Sequence, residues 1–98
     1  MPSNGLPPVH PGDFLREILE EINLTQAAFA QVIAVSPMRV SHVLKGSRPI
    51  TAELALRIGR ALGQSPDYWL NLQNRYDLKI AQSQWQDSLN HVQEIKFG

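Results

Sequence analysis

Residues 24–46 read Leu-Thr-Gln-Ala-Ala-Phe-Ala-Gln-Val-Ile-Ala-Val-Ser-Pro-Met-Arg-Val-Ser-His-Val-Leu-Lys-Gly. Two helix starts lie inside this stretch. Thr25 is a capping hydroxyl ahead of a helix over Gln26–Ile33, whose inner face is Phe29, Ala30 and Ile33. Ser36-Pro37 pairs a capping hydroxyl with a proline at the first helical position, so a second helix runs to about Lys45 and stops at Gly46. Its inner stripe is Val40, Val43 and Leu44. Two short helices joined by so few residues must cross steeply. The crossing needs a small residue, supplied by Ala30, and the turn needs an apolar plug, supplied by Val35. The outer face of the second helix is then left free, with Met38, Arg39, Ser41, His42 and Lys45 along it. A helix with such a face fits the major groove of DNA, where base edges carry distinct donor and acceptor patterns.

Side-chain chemistry assigns roles on that face. Arg39 suits a bidentate contact with guanine, worth about 1–3 kcal/mol of discrimination. Ser41 and His42 can hydrogen-bond bases or phosphates, and Met38 can pack on a thymine methyl group. Gln26 sits in the first turn of its helix, where backbone N–H groups and the helix dipole favour a phosphate. Lys45, Ser47, Arg48 and Thr51 surround the start of the following helix and can grip further phosphates, which sets register without reading sequence.

Outward from the motif, the pattern stays helical. Upstream, Phe14, Leu15, Ile18, Leu19 and Ile22 share one face of a helix over about Pro11–Ile22. Residues 1–10, with Pro2, Pro7, Pro8 and Gly5, read as a flexible arm. Downstream, Thr51 caps a helix that turns Leu54, Ala55, Ile58, Ala61 and Leu62 inward and ends at Gly63. Ser65-Pro66 opens a fifth helix bearing Trp69, Leu70, Leu72, Gln73 and Tyr76 and reaching about Gln82. Trp85, Leu89, Val92 and Ile95 recur at helical spacing, while residues 91–97 also read as a frayed extended tail. The expected organisation is an arm over 1–10, an all-α domain over 11–82 with its motif at 25–46, and a tail or short helix over 83–98. Trp69, Leu70, Leu72 and Tyr76 exceed what one small core needs and are expected at the two-fold interface of a homodimer; the alternative is that they fill the monomer core.

The formal net charge is zero over 98 residues, but it is unevenly spread. Residues 1–24 set Arg16 against Asp13, Glu17, Glu20 and Glu21. Residues 25–64 set Arg39, Lys45, Arg48, Arg57 and Arg60 against Glu53 alone. A basic block therefore lies between acidic flanks, and local fields decide what a surface attracts. There is no cysteine, hence no disulfide or thiolate metal site. His10, His42 and His91 lack ligand spacing, so no metal and no cofactor is expected. No phosphate loop or nucleophile elbow occurs, and an enzyme is not expected. No stretch has the length and apolarity of a membrane span, and Met1–Gly5 lacks the regions of a signal peptide. A cytoplasmic protein is expected.

The segment Leu24–Gly46 resembles the helix-turn-helix of the XRE/Cro/cI repressor superfamily. A longer pattern is more specific. It comprises His10-Pro11-Gly12-Asp13 with Leu15-Arg16-Glu17, then Ile50-Thr-Ala-Glu-Leu-Ala-Leu-Arg57. It continues with Ala61-Leu-Gly-Gln-Ser-Pro-Asp-Tyr-Trp-Leu-Asn-Leu-Gln73 and Tyr76-Asp77-Leu78. Over about residues 9–81 this is similar to the HigA/VapI-type antitoxins of bacterial toxin–antitoxin modules. The resemblance implies a five-helix lambda-repressor-like DNA-binding domain that binds double-stranded operator DNA as a homodimer, represses its own operon and neutralises a partner toxin, usually an mRNA-cleaving ribonuclease. It carries a DNA-contact role to Gln26, Ser36, Met38, Arg39, Ser41, His42 and Lys45. It matches no toxin-contact residues. Two positions depart from the pattern: Ala34 stands where the turn usually has glycine, and Pro37 removes an N–H at the start of the recognition helix. A repressor without a toxin, and an interaction module that has lost DNA binding, remain as alternatives.

Overall fold

Side-chain acceptors start every helix. In the computed structural model, which describes residues 7–97, the helices are α1 (Pro11–Glu21), α2 (Gln26–Ile33), α3 (Pro37–Leu44), α4 (Ala52–Leu62) and α5 (Pro66–Leu89). Thr25, Ser36, Thr51 and Ser65 each accept a hydrogen bond from a backbone N–H two or three residues on, at 3.1–3.3 Å. Each thereby satisfies a donor that the first helical turn cannot. His10 does the same for α1: its Nδ1 accepts from the Gly12 N–H at 2.9 Å.

The inner faces converge on one core. Leu15 and Leu19 of α1, Phe29, Ala30 and Ile33 of α2, Val40, Val43 and Leu44 of α3, and Leu54, Ala55 and Ile58 of α4 are all buried. Leu24, Val35, Leu62, Leu70 and Leu72 pack around them. α3 leaves α2 at a bend of 115°, the steep crossing that a small residue at Ala30 permits. α1 lies against α3 at Gly12, where an added Cβ would fall 2.1 Å from the Val43 carbonyl oxygen. Only a residue without a side chain fits that approach.

Several expectations are corrected. Trp69 is 0% exposed, in the monomer core rather than at a subunit surface. Burial is affordable because its indole N–H donates to Gln64 Oε1 at 2.8 Å. The expectation for the other three is not overturned: Leu70 and Leu72 are half-buried against the same core, and Tyr76 is half-buried with its ring edge-on to His10, centroids 4.9 Å apart, so each keeps some exposed surface. Ile22 is exposed because α1 ends at Glu21 and Asn23 turns the chain at φ 59°. Phe14 and Ala61 also lie at the surface. α5 does not stop at Gln82. It continues through Trp85 to Leu89, past the expected domain boundary, and residues 92–97 are non-helical and exposed. The arm expected over 1–10 falls outside the described residues at 1–6, and its last residue, His10, is buried against α1 and α5.

His10 adds a pH dependence. Accepting at Nδ1 requires the neutral ring with its proton on Nε2. Burial pushes the imidazole below the usual histidine range, against smaller upward pulls from Asp13, Asp77 and the Arg48 backbone. The folded protein thus binds this proton less readily than the unfolded chain. The stabilisation is complete above the unfolded pKa of about 6.5 and is lost as pH falls toward the depressed folded value. Thermal unfolding between about pH 7.5 and 5.5 should show Tm dropping in the native chain, with a flatter profile for His10→Asn, which keeps a capping acceptor that does not titrate. Parallel profiles would contradict this role.

Candidate nucleic-acid interface

With Val40, Val43 and Leu44 turned inward, helical geometry sends the other side chains of α3 outward. Met38 is 68% exposed, and Arg39, Ser41 and His42 are half-buried. Beside α3 the loop over 45–51 closes an open groove. Ser36, Met38, Arg39, His42, Arg48 and Thr51 line it, bringing together six of the ten residues expected to meet DNA. Gln26 stands apart at the exposed first position of α2, and Lys45 at the C-cap of α3. Ser47 is committed to local structure: its Oγ donates to the His42 carbonyl at 3.1 Å and its backbone N–H to the same oxygen at 3.0 Å. Ser36 and Thr51 use oxygen lone pairs as caps, so each hydroxyl keeps a hydrogen to donate.

The loop is tied down from behind. Gln73 of α5, buried, accepts from the Ile50 N–H at 2.8 Å and donates to Asp77 at 2.9 Å. The buried Ile50 anchors the same segment in the core. Arg16 of α1 donates to the Leu44 carbonyl at the end of α3 and pairs with Asp13 at 3.2 Å. A cation at a helix C-terminus also meets the dipole favourably.

A second set of contacts was not evident from the motif. Glu53 of α4 receives Arg39 Nη2 at 2.9 Å and Arg57 Nε at 3.0 Å. Arg57 extends Nη1 to the carbonyls of Ile33 and Ala34, at 3.0 and 3.4 Å. Both guanidinium groups hold the Glu53 carboxyl below its ordinary pKa. Arg39 is therefore not bare: its outward face is free, but one end is held by α4. The sequence signal was the Glu53–Arg57 spacing of four residues on one helix. The partner across the turn has no such local signature.

The turn itself holds an alanine in a conformation that its Cβ disfavours. Ala34 sits at φ 60°, ψ 46°, the left-handed region in which glycine is favoured. Pro37 occupies the first position of α3, where its missing N–H would have no intrahelical partner. Among the described residues, no single helix is long and apolar enough to cross a membrane.

A family model described as helix-turn-helix matches residues 15–69. Virulence-associated protein I of Dichelobacter nodosus is 42% identical over 90 residues, covering 91% of this chain and 82% of that protein. The structure of an addiction module antidote protein of the HigA family from Coxiella burnetii superposes with a TM-score of 0.89 at 35% identity, covering 92% of this chain and all of that one. The Pseudomonas aeruginosa antitoxin HigA, solved with the higBA promoter, superposes with a TM-score of 0.85 at 35% identity, covering 92% and 99%.

Replacing Ala34 by glycine removes the Cβ clash at positive φ while keeping the Arg57 contacts to backbone. Ala34→Gly should raise unfolding stability by roughly 1 kcal/mol in denaturant titration. A loss of that size would show that the turn is not strained.

Proposed function

The chain belongs to the helix-turn-helix family, within the group that holds virulence-associated protein I and the HigA antitoxins, and from that premise we propose that it is a sequence-specific repressor of double-stranded operator DNA and an antitoxin. The observation that carries the DNA reading is the outward, half-exposed polar side of α3 flanking a groove with Arg39, His42 and Arg48 on its walls. Arg39, Ser41, His42 and Met38 read base edges. Gln26, Ser36, Lys45, Arg48 and Thr51 hold phosphates, and Ser47 braces the loop that presents them. Relatives solved with promoter or operator DNA support this assignment. The antitoxin role rests on the names of relatives such as antitoxin HigA-1 of Vibrio cholerae, 33% identical over 89 residues. The proposal extends to neutralisation of an RNA-cleaving toxin and to action as a regulator rather than an enzyme, and the same kinship supports both.

A homodimer places two recognition helices one turn of DNA apart, about 34 Å. With Trp69 in the core, the apolar surplus lies further along α5. Leu78, Trp85 and Leu89 are 60%, 58% and 50% exposed, and their spacing of seven and four places them on one side of the helix. We assign the two-fold contact to that stripe. Trp85→Ala should shift the sedimentation profile toward monomer, whereas an unchanged dimer would place the contact elsewhere.

Binding to duplexes from the chain's own upstream region, against scrambled duplexes, tests the DNA reading. Affinity should fall steeply between about 50 and 200 mM salt, since phosphate contacts release counterions. Arg39→Ala should remove about 1–3 kcal/mol of preference for the specific duplex. Arg48→Ala should weaken both duplexes alike. Equal loss on both for Arg39→Ala would remove the base-reading role. Co-purification with the product of the adjacent gene separates an antitoxin from a repressor without a toxin.

A further inference from the structure

Arg39 does not choose its direction freely, because the carboxylate that holds it is itself held. Glu53 Oε1 takes Arg39 Nη2 at 2.9 Å, and Oε2 faces Arg39 Nη1 at 3.5 Å and Arg57 Nε at 3.0 Å. Arg57 in turn is fastened to the turn carbonyls of Ile33 and Ala34. A continuous chain of hydrogen bonds thus runs from the helix-turn-helix turn through α4 to the outward side chain of α3. These contacts engage the terminal end of the Arg39 guanidinium. A guanidinium carries five N–H donors in a rigid plane, so its Nε side offers a second fork whose spacing suits guanine O6 and N7.

The charge of Glu53 points the same way. It is the one anion of the basic block over 25–64, half-exposed beside the groove. Its field repels phosphate and lowers affinity for any DNA. An unpinned arginine, by contrast, has a flexible stem and finds phosphates in many geometries. A carboxylate that opposes binding in general while fixing the plane of the base-reading side chain favours selectivity over affinity.

We propose that Glu53 is a positioning residue for base reading: it orients the guanidinium of Arg39 and thereby sets how well the protein distinguishes its operator from unrelated DNA. This rests on the reading of Arg39 as the guanine contact. Exposed ion pairs contribute little to folding, so Glu53→Gln should leave Tm close to that of the parent chain.

The test is a double-mutant cycle of Arg39→Ala and Glu53→Gln, with affinities for a promoter duplex and a scrambled duplex measured at one salt concentration. Glu53→Gln should reduce the promoter-to-scrambled preference by about 3- to 10-fold, a fraction of what loss of the whole bidentate contact removes. In the Arg39→Ala background the same substitution should leave the preference unchanged, since a field effect alone shifts both duplexes together. An unchanged preference for Glu53→Gln in the parent chain, or an equal loss in the Arg39→Ala background, overturns the role of Glu53. A parent chain with no preference, or an Arg39→Ala variant that retains it, overturns the base-reading assignment beneath it as well.

Discussion

A helix of eight residues does not hold itself together in water, and α3 has eight. Its rigidity is borrowed, and the main lender is the burial of Val40, Val43 and Leu44, each no more than 3% exposed. At roughly 1.5–3 kcal/mol per buried side chain of this kind, the inner stripe outweighs every polar tether to the helix. The tethers then fix what burial leaves adjustable. Gly12 lets α1 approach the Val43 carbonyl, Arg16 closes the C-terminal end, and Glu53 holds Arg39 on the side. A rod clamped at its back, end and flank can present its remaining face without rearranging.

The division between clamped and free surfaces also explains the loop after α3. Ser47 is committed to the His42 carbonyl near the end of the helix, and Ile50 is pinned by burial and by Gln73. Arg48 and Thr51 between and beside these anchors remain exposed. Cations and hydroxyl donors on a restrained loop grip phosphates at a defined register, leaving discrimination to α3.

Much of this was readable from residues alone, for a local reason. Capping hydroxyls at Thr25, Ser36, Thr51 and Ser65 precede apolar residues at helical spacing, so four helix starts are visible within a few residues of sequence. The outward side of α3 follows from its inward stripe. What was misread depends on contacts across the chain. Trp69 looks like surplus until Gln64 supplies the acceptor that lets the indole sink into the core. The second half of α5 is harder to place, because Trp85 and Leu89 keep helical spacing but pack on nothing within the monomer, so the same residues also read as a separate short helix or tail. The Arg39–Glu53 pair spans fourteen residues and two helices, beyond any periodic signal.

The most direct test is an NMR titration of the labelled protein with a duplex from its own promoter. Backbone and side-chain perturbations should concentrate at residues 36–42 and 48–51, with the Arg39 Nε–H moving most, while the acidic surface at Glu17, Glu20 and Glu21 stays silent. Perturbations centred on that acidic surface, with α3 unmoved, would contradict the assignment of α3 as the element that reads DNA.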